Sequence, residues 1–234
     1  MGSATRIISY KATLRVKRLL NQYSENLKTS KAKIINYALY EIFIKYPNKA
    51  TAAAIATYIT SNNFDLKKDN YTLHILIDYY DRFLALKEEV QTINHIEYHD
   101  NEFFGFLLSF YFDKISFVRK KKVNEHLKSD PKPSQIGLYL NKELKDRINK
   151  LCKDYQLNAG MLLFDILTDV DLGNLPFKFL PNDVVIESKE KERIIIYLPQ
   201  YIHQQLNELP LTNSFITEIR SEQYLNKFNL KKDN

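Results

Sequence analysis

Apolar and polar positions along the chain change their period at regular intervals. In "RIISYKATL" (6–14), Ile8, Tyr10 and Ala12 alternate with Ser9, Lys11 and Thr13, the period of two that predicts a short strand with one polar face. From Val16 the period lengthens, and Val16, Leu19, Leu20, Tyr23 and Leu27 fall on one stripe of a helix. "LKTS" interrupts that stripe, and Thr29 or Ser30 is placed to N-cap a second helix. There Ile34, Ile35, Ala38, Ile42, Phe43 and Tyr46 form another single stripe, closed by Pro47. The predicted order is strand, helix, short turn, helix.

The same order recurs three times. "YTLHILI" (71–77) leads into a helix over 78–90, and Asp100 is placed to cap another over 101–112. "QIGLYL" (135–140) leads into a helix over 141–155 with Leu144, Ile148, Leu151 and Tyr155 on one stripe, followed by a cap at Asn158 and a helix over 159–170. "RIIIYL" (193–198) leads into 199–209 with Pro199 in the first turn, and Thr212 or Asn213 caps a helix over 214–225. Strand starts near 7, 71, 135 and 193 are spaced by 64, 64 and 58 residues, which argues for an array of one repeated unit.

One such unit is too thin to fold alone, because its strand has no partner and each helix has a face to hide. Units therefore pair, two strands forming an antiparallel ribbon over four helices. The fold class expected is mainly α with short β-strands (α+β), in two pseudo-dimeric domains. The first spans 1–116, with copies at about 6–47 and 71–113. A basic, Pro-containing linker at 117–134 precedes the second at 135–228, with copies at about 135–171 and 192–227, and 229–234 form a tail. The segment 172–191 joins copies three and four, and "NKATAAAIATYITSN" (48–62) reads as an extra helix inside the first pair.

Charge changes this picture by giving it a direction. Residues 1–50 hold ten Lys/Arg against two Asp/Glu, a net +8, whereas 71–115 hold three against eight, a net −5. Positive charge concentrated at one end is the footprint expected for a polyanion partner, although a solvated charged face has the same composition. The single cysteine among 234 residues forms no internal disulfide, no apolar run approaches the roughly 20 residues of a membrane helix, and the N-terminus has no signal-peptide core. A cytoplasmic protein is expected.

Catalytic chemistry finds little support. His95 and His99 in "HIEYHD" stand at i, i+4, a spacing that can share a metal on a helix, but Ile96 occupies the place of a zinc-protease glutamate. These residues read as a loop before the Asp100 cap. Cys152 falls beside an apolar stripe and reads as a buried thiol. No glycine-rich loop precedes a helix, so P-loop and dinucleotide-binding readings have no basis. The expectation is no enzyme, no metal and no cofactor. Most of the 16 Tyr and 14 Phe fall on helical stripes, which favours core packing over single-strand stacking.

In order and length, "ISYKATLRVKRLLNQYSENLKTSKAKIINYALYEIF" resembles the ribbon-helix-helix superfamily of DNA-binding proteins, typified by the Arc, MetJ and CopG repressors. "IGLYLNKELKDRINKLCKDYQLNAGMLLFDIL" resembles it equally in apolar spacing, the fourth copy with a shortened first helix, and the second loosely. The resemblance implies double-stranded DNA as partner, read in the major groove by outward strand residues, with the start of the second helix gripping phosphate. In copy one the outward positions are Ile7, Ser9, Lys11 and Thr13, and Ser9 and Lys11 can hydrogen-bond bases. Thr29, Ser30, Lys31 and Lys33 mark the phosphate-gripping turn, and Arg6, Arg15, Lys17, Arg18 and Lys28 add backbone contacts. The other outward positions, Thr72, His74 and Leu76, Gln135, Gly137 and Tyr139, and Arg193, Ile195 and Tyr197, are poorer base readers. The resemblance implies a transcriptional repressor or copy-control regulator. It leaves open a relaxosome or partition accessory role on a mobile element, and the degenerate copies leave open a protein-interaction scaffold. Homo-oligomerisation and a protein partner in a nucleoprotein complex also stay open, and no membrane partner is expected.

Overall fold

A computed structural model describes residues 4–115, 133–168, 190–209 and 211–227. The expected linker 117–134, apart from its last two residues, most of the segment 172–191, and the tail 229–234 lie outside them. Strand β1 (Thr5–Thr13) leads into α1 (Leu14–Asn26) and α2 (Lys31–Tyr40), then α3 (Ala52–Thr60), β2 (Leu66–Leu76), α4 (Ile77–Asn94) and α5 (Asp100–Phe110). Strand β3 (Pro133–Asn141) leads into α6 (Lys142–Asp154) and α7 (Ala159–Thr168), and β4 (Lys191–Pro199) into α8 (Gln200–Asn207) and α9 (Asn213–Lys227). The protein is mainly helical, with two antiparallel two-stranded sheets, β1 with β2 and β3 with β4.

Local chemistry explains the junctions. Thr13 caps α1 by accepting from the Val16 N–H at 3.2 Å, and Ser30 caps α2 by accepting from the Lys33 N–H at 3.3 Å. Asn158 and Thr212 do the same for α7 and α9, through the N–H groups of Met161 and Phe215 at 3.0 and 3.3 Å. Between first and second helices the chain turns through a left-handed residue, Lys28, His95 or Gln156, with φ of 47°, 54° and 53°. None of the three is glycine, although that conformation favours it. In copy two the cap differs from expectation. His99 occupies the N-cap without a side-chain bond, and Asp100 lies inside the first turn, where the helix dipole favours its charge. Pro199 likewise precedes α8 as its N-cap, because β4 runs on to it.

Helices α2 and α5 both end in a wider π turn, over Glu41–Lys45 and Tyr111–Ile115. The Tyr46 N–H reaches back five residues to the Glu41 carbonyl at 2.8 Å. The two turns meet, and the Tyr111 hydroxyl donates to Glu41 Oε2 at 2.6 Å.

The expected single stripe on α2 is corrected by its surroundings, since every residue from Ile34 to Tyr40 is buried. The stripe faces the first pair, while the opposite side is covered by the second. Tyr37 donates to Asp165 Oδ2 of α7 at 2.5 Å, the Tyr40 ring lies 5.2 Å from that of Tyr155, and its hydroxyl is 3.5 Å from that of Tyr224 on α9. Beside them Lys45 Nζ contacts Asp165 Oδ2 at 2.5 Å and Glu41 Oε1 at 3.4 Å, all three side chains being at most 2% exposed. Burial, with the Asp165 carboxylate beside it, pushes Glu41 from its ordinary 4.5 up to about 8, against the pull of Lys45.

Helix α5 lies so close to β1 that a Cβ on Gly105 would stand 2.0 Å from the Lys11 carbonyl oxygen. The ladder is irregular there, Lys11 facing Asn70 but Thr13 facing Leu66. Gly105→Ala is expected to destabilise the fold by about 3 kcal/mol or more, the upper end of overpacking. That far exceeds the roughly 1 kcal/mol of helix propensity an alanine contributes. Chemical denaturation measures it.

Glu41 sets a second expectation. Its raised folded pKa means that the folded chain keeps a proton the unfolded chain releases above about 4.5. The Glu41 contribution to stability therefore falls as pH rises from about 4.5 to about 8 and levels off above that. Glu41→Gln removes the titrating group, so denaturant melts of the variant should lose less stability across this window than wild type.

Candidate nucleic-acid interface

The β1–β2 ribbon turns one face to the core and one outward. Ile8, Tyr10 and Ala12 are buried against Leu73 and Ile75, while Ile7, Ser9 and Lys11 lie opposite His74, Thr72 and Asn70. The strand period thus places four hydrogen-bonding side chains from two strands, Ser9, Thr72, His74 and Asn70, around Lys11, with Ile7 61% exposed at one end. Leu76, expected to face outward, is buried instead. It ends β2 and serves as N-cap of α4, where the chain turns inward.

Much of the charge near this face is already spent on neighbours. Lys11 Nζ donates to Glu102 Oε1 of α5 at 2.8 Å, Lys87 pairs with Asp100, and Arg15 pairs with Asp113. Arg6 stacks 4.6 Å over the Tyr80 ring, and Lys17 stands 5.7 Å from the Tyr71 ring centre. Between the ribbon and the start of α5 runs an open groove of about 600 Å³, lined in part by Ser9, Lys11, Tyr80, Lys87 and Asp100.

The turn before α2 is built from its own backbone. Leu27 N–H reaches the Tyr23 carbonyl at 3.0 Å, Thr29 N–H the Ser24 carbonyl at 3.1 Å, and Ser24 Oγ returns a bond to the Thr29 carbonyl at 2.6 Å. Lys28, Ser30 and Lys31 are exposed, and α2 packs against β2. Lys33 turns elsewhere, donating to the Gln156 carbonyl of the second pair at 3.3 Å. Among the residues that the sequence singled out for DNA, Ser9 and Lys11 share the ribbon face, and Lys28, Thr29, Ser30 and Lys31 share the turn. Thr13 is a helix cap, and Arg6, Arg15 and Lys33 are engaged by Tyr80, Asp113 and Gln156. The pairings of Lys11 and Arg15 join residues 91 and 98 apart in sequence, so local pattern carries no sign of them.

The β3–β4 ribbon repeats the geometry with different chemistry. Its outer face carries Gln135, Gly137 and Tyr139 opposite Tyr197, Ile195 and Arg193. Tyr139, Ile195 and Tyr197 are 51%, 50% and 37% exposed, and the Arg193 guanidinium lies over Gly137. Cations around it are matched by carboxylates, Lys142 and Lys145 of α6 with Glu192, Arg147 of α6 with Glu222, and Lys191 at the start of β4 with Glu218. One edge is closed too, the Tyr139 and Asn141 N–H groups donating to Ser214 Oγ and Glu218 Oε1 at 2.9 and 2.6 Å.

The other candidates resolve locally. His95 ends α4 in a left-handed conformation and His99 precedes α5, so the two do not share a helix face. Among the described residues no cluster of three metal-ligating side chains occurs, and no helix is long and apolar enough to cross a membrane. Burial pushes the Cys152 thiol up to about 12, with Lys33 pulling weakly the other way.

A Cβ on Gly137 would meet the Arg193 guanidinium at 3.0 Å, the far end of a flexible chain rather than backbone. Gly137→Ala is therefore expected to change stability by less than about 1 kcal/mol, the strand preference for alanine offsetting the displaced arginine. A thermal melt beside that of Gly105→Ala checks the contrast.

Comparison of the chain with models of known families, with curated proteins and with solved structures finds no match, so its residues and their geometry carry the functional argument.

Proposed function

We propose that the protein binds double-stranded DNA in a sequence-specific way, as two ribbon-helix-helix pairs formed within one chain. The observation that carries this reading is the β1–β2 ribbon, antiparallel and packed on helices, with Ser9, Lys11, Thr72, His74 and Asn70 gathered on its outer face. A two-stranded ribbon fits the major groove, where hydroxyl, amide, imidazole and ammonium groups meet the donors and acceptors of base edges. The capped turn with exposed Lys28 and Lys31 supports backbone contact. The dipole of α2 and the N–H groups at its start favour a phosphate there. Such contacts position the ribbon and carry no sequence information.

Because β1 and β2 belong to one chain and differ in outer residues, the read-out is asymmetric and a non-palindromic site follows. A repressor or copy-control regulator uses this surface to occlude a promoter, and an accessory factor of conjugation or partition uses it to assemble a nucleoprotein complex. A neighbouring gene for a relaxase or a partition ATPase separates the two. The exposed Tyr139, Ile195 and Tyr197 favour a second reading, a protein-binding scaffold, for the other ribbon.

Lys28→Ala combined with Lys31→Ala is expected to weaken duplex binding across all sequences. Each lost phosphate contact lowers the slope of log affinity against log salt by about 0.9, so the slope should fall by about two. Ser9→Ala with Thr72→Ala should instead narrow the gap between specific and random duplex. Titrations by gel shift at several salt concentrations measure both. Wild type that binds no duplex at low salt would sink the reading and leave the scaffold.

A further inference from the structure

Helix α3 and the loop after it stand outside the repeated unit, and they wall a cavity of about 290 Å³ against the start of α1 and the end of α5. Opposite charges face each other at its mouth. Arg15 pairs with Asp113, the arginine side chain 66% exposed and the carboxylate 22%. Asp113 is held in place by the Tyr58 hydroxyl, which donates to it at 2.5 Å, and the Asn62 amide ties the end of α3 to the Tyr58 carbonyl at 2.7 Å. The rest of the lining is mixed, Leu14 and Phe64 offering apolar surface beside Asn62, Asn63 and Asp65, whose carboxylate pairs with Lys67.

We infer that this cavity binds a free amino acid with an apolar side chain, its carboxylate on Arg15 and its ammonium on Asp113. The cavity is at the small end of the roughly 300–1,000 Å³ range of ligand sites, which suits an amino acid. A lone anion taking Arg15 would leave Asp113 with the Tyr58 hydroxyl but without its cation, and a lone amine would strand Arg15 in the same way. A zwitterion replaces one ion pair by two and leaves neither group unmatched. Opening the existing pair costs little, because a largely exposed arginine gains little from it. Leu14 and Phe64 then take part of the side chain out of water. The inference does not rest on DNA binding, and it is tested without DNA.

The test titrates the full chain with L-leucine and L-phenylalanine by calorimetry and thermal melts, alongside isopentylamine and 4-methylpentanoate, which each carry one of leucine's two charges. Saturable binding of an apolar amino acid is expected, with a raised melting temperature and affinity at least about tenfold above either analogue. Arg15→Gln, at an exposed position that leaves the fold intact, should weaken leucine by about tenfold or more while leaving isopentylamine unchanged. Asp113→Asn, which keeps an acceptor for Tyr58, should do the reverse for 4-methylpentanoate. No saturable binding by any of the twenty common amino acids, about twenty ligands at millimolar concentration, overturns the inference. Equal binding of leucine and isopentylamine, or leucine affinity unchanged in Arg15→Gln, overturns it too.

Discussion

An ammonium and a carboxylate sealed from water hold the two halves of this protein in one arrangement. Lys45 comes from the π turn after α2 and Asp165 from α7, and they meet at 2.5 Å with side chains at most 2% exposed. Stripping water from each ion costs several kcal/mol, which only close pairing and further hydrogen bonds return. Here Tyr37 donates to the same Asp165 oxygen, and the Lys45 ammonium also lies 4.7 Å over the Tyr224 ring. Apolar contact is non-directional and would tolerate sliding of α2 over α7 and α9. The charged pair has one geometry, and departing from it would leave a dry, unmatched ion. Together with the Tyr37, Tyr40 and Lys33 contacts to the second half, the pair favours one placement of the second ribbon relative to the first.

That constraint also explains which parts of the fold were legible in the sequence. Strand period, helix stripes and caps are local, and they placed all four strand–helix–helix units and the additional α3 close to where they lie. Each property depends on residues within a turn or two. The complete burial of α2 does not. Asn36, Tyr37 and Tyr40 sit off the apolar stripe, and the two tyrosines meet Asp165 of α7, Tyr155 just after α6 and Tyr224 of α9, which no local pattern joins to them. Leu76 followed the strand period on paper but belongs to the bend into α4. The left-handed turns at Lys28, His95 and Gln156 were invisible for another reason, since none carries the glycine that usually marks them.

The basic N-terminal segment shows the same limit for function. Ten cations in the first 50 residues suggest a charged surface, yet pairing β1 with β2 brings that segment against the acidic 71–115 stretch. Lys11 and Arg15 are matched there by Glu102 and Asp113, and Lys45 leaves the surface altogether. What remains outward is narrower than the sum, with Arg6, Arg15, Arg18, Lys28, Lys31 and Lys49 exposed and two of these already engaged by Tyr80 and Asp113. Charge density along a chain overstates charge density on a surface whenever the complementary segment folds back onto it.

The two ribbons then separate fold from chemistry. Both pair antiparallel, both bury one face, and both lie on the helices of their own pair. A one-residue shift of register would expose the buried Ile8, Tyr10 and Ala12, or Ile136, Leu138 and Leu140, so the inward residues are held by the core. The outward residues carry no such obligation. One ribbon has filled most of those positions with hydroxyl, imidazole, amide and ammonium groups beside Ile7, the other with Tyr139, Tyr197 and Ile195 beside Gln135, Gly137 and a single arginine. Hydrogen-bonding groups gain from a partner that presents ordered donors and acceptors, whereas exposed rings gain from one that removes them from water. A repeated scaffold with divergent outer faces is therefore suited to hold two chemically different surfaces at a fixed separation.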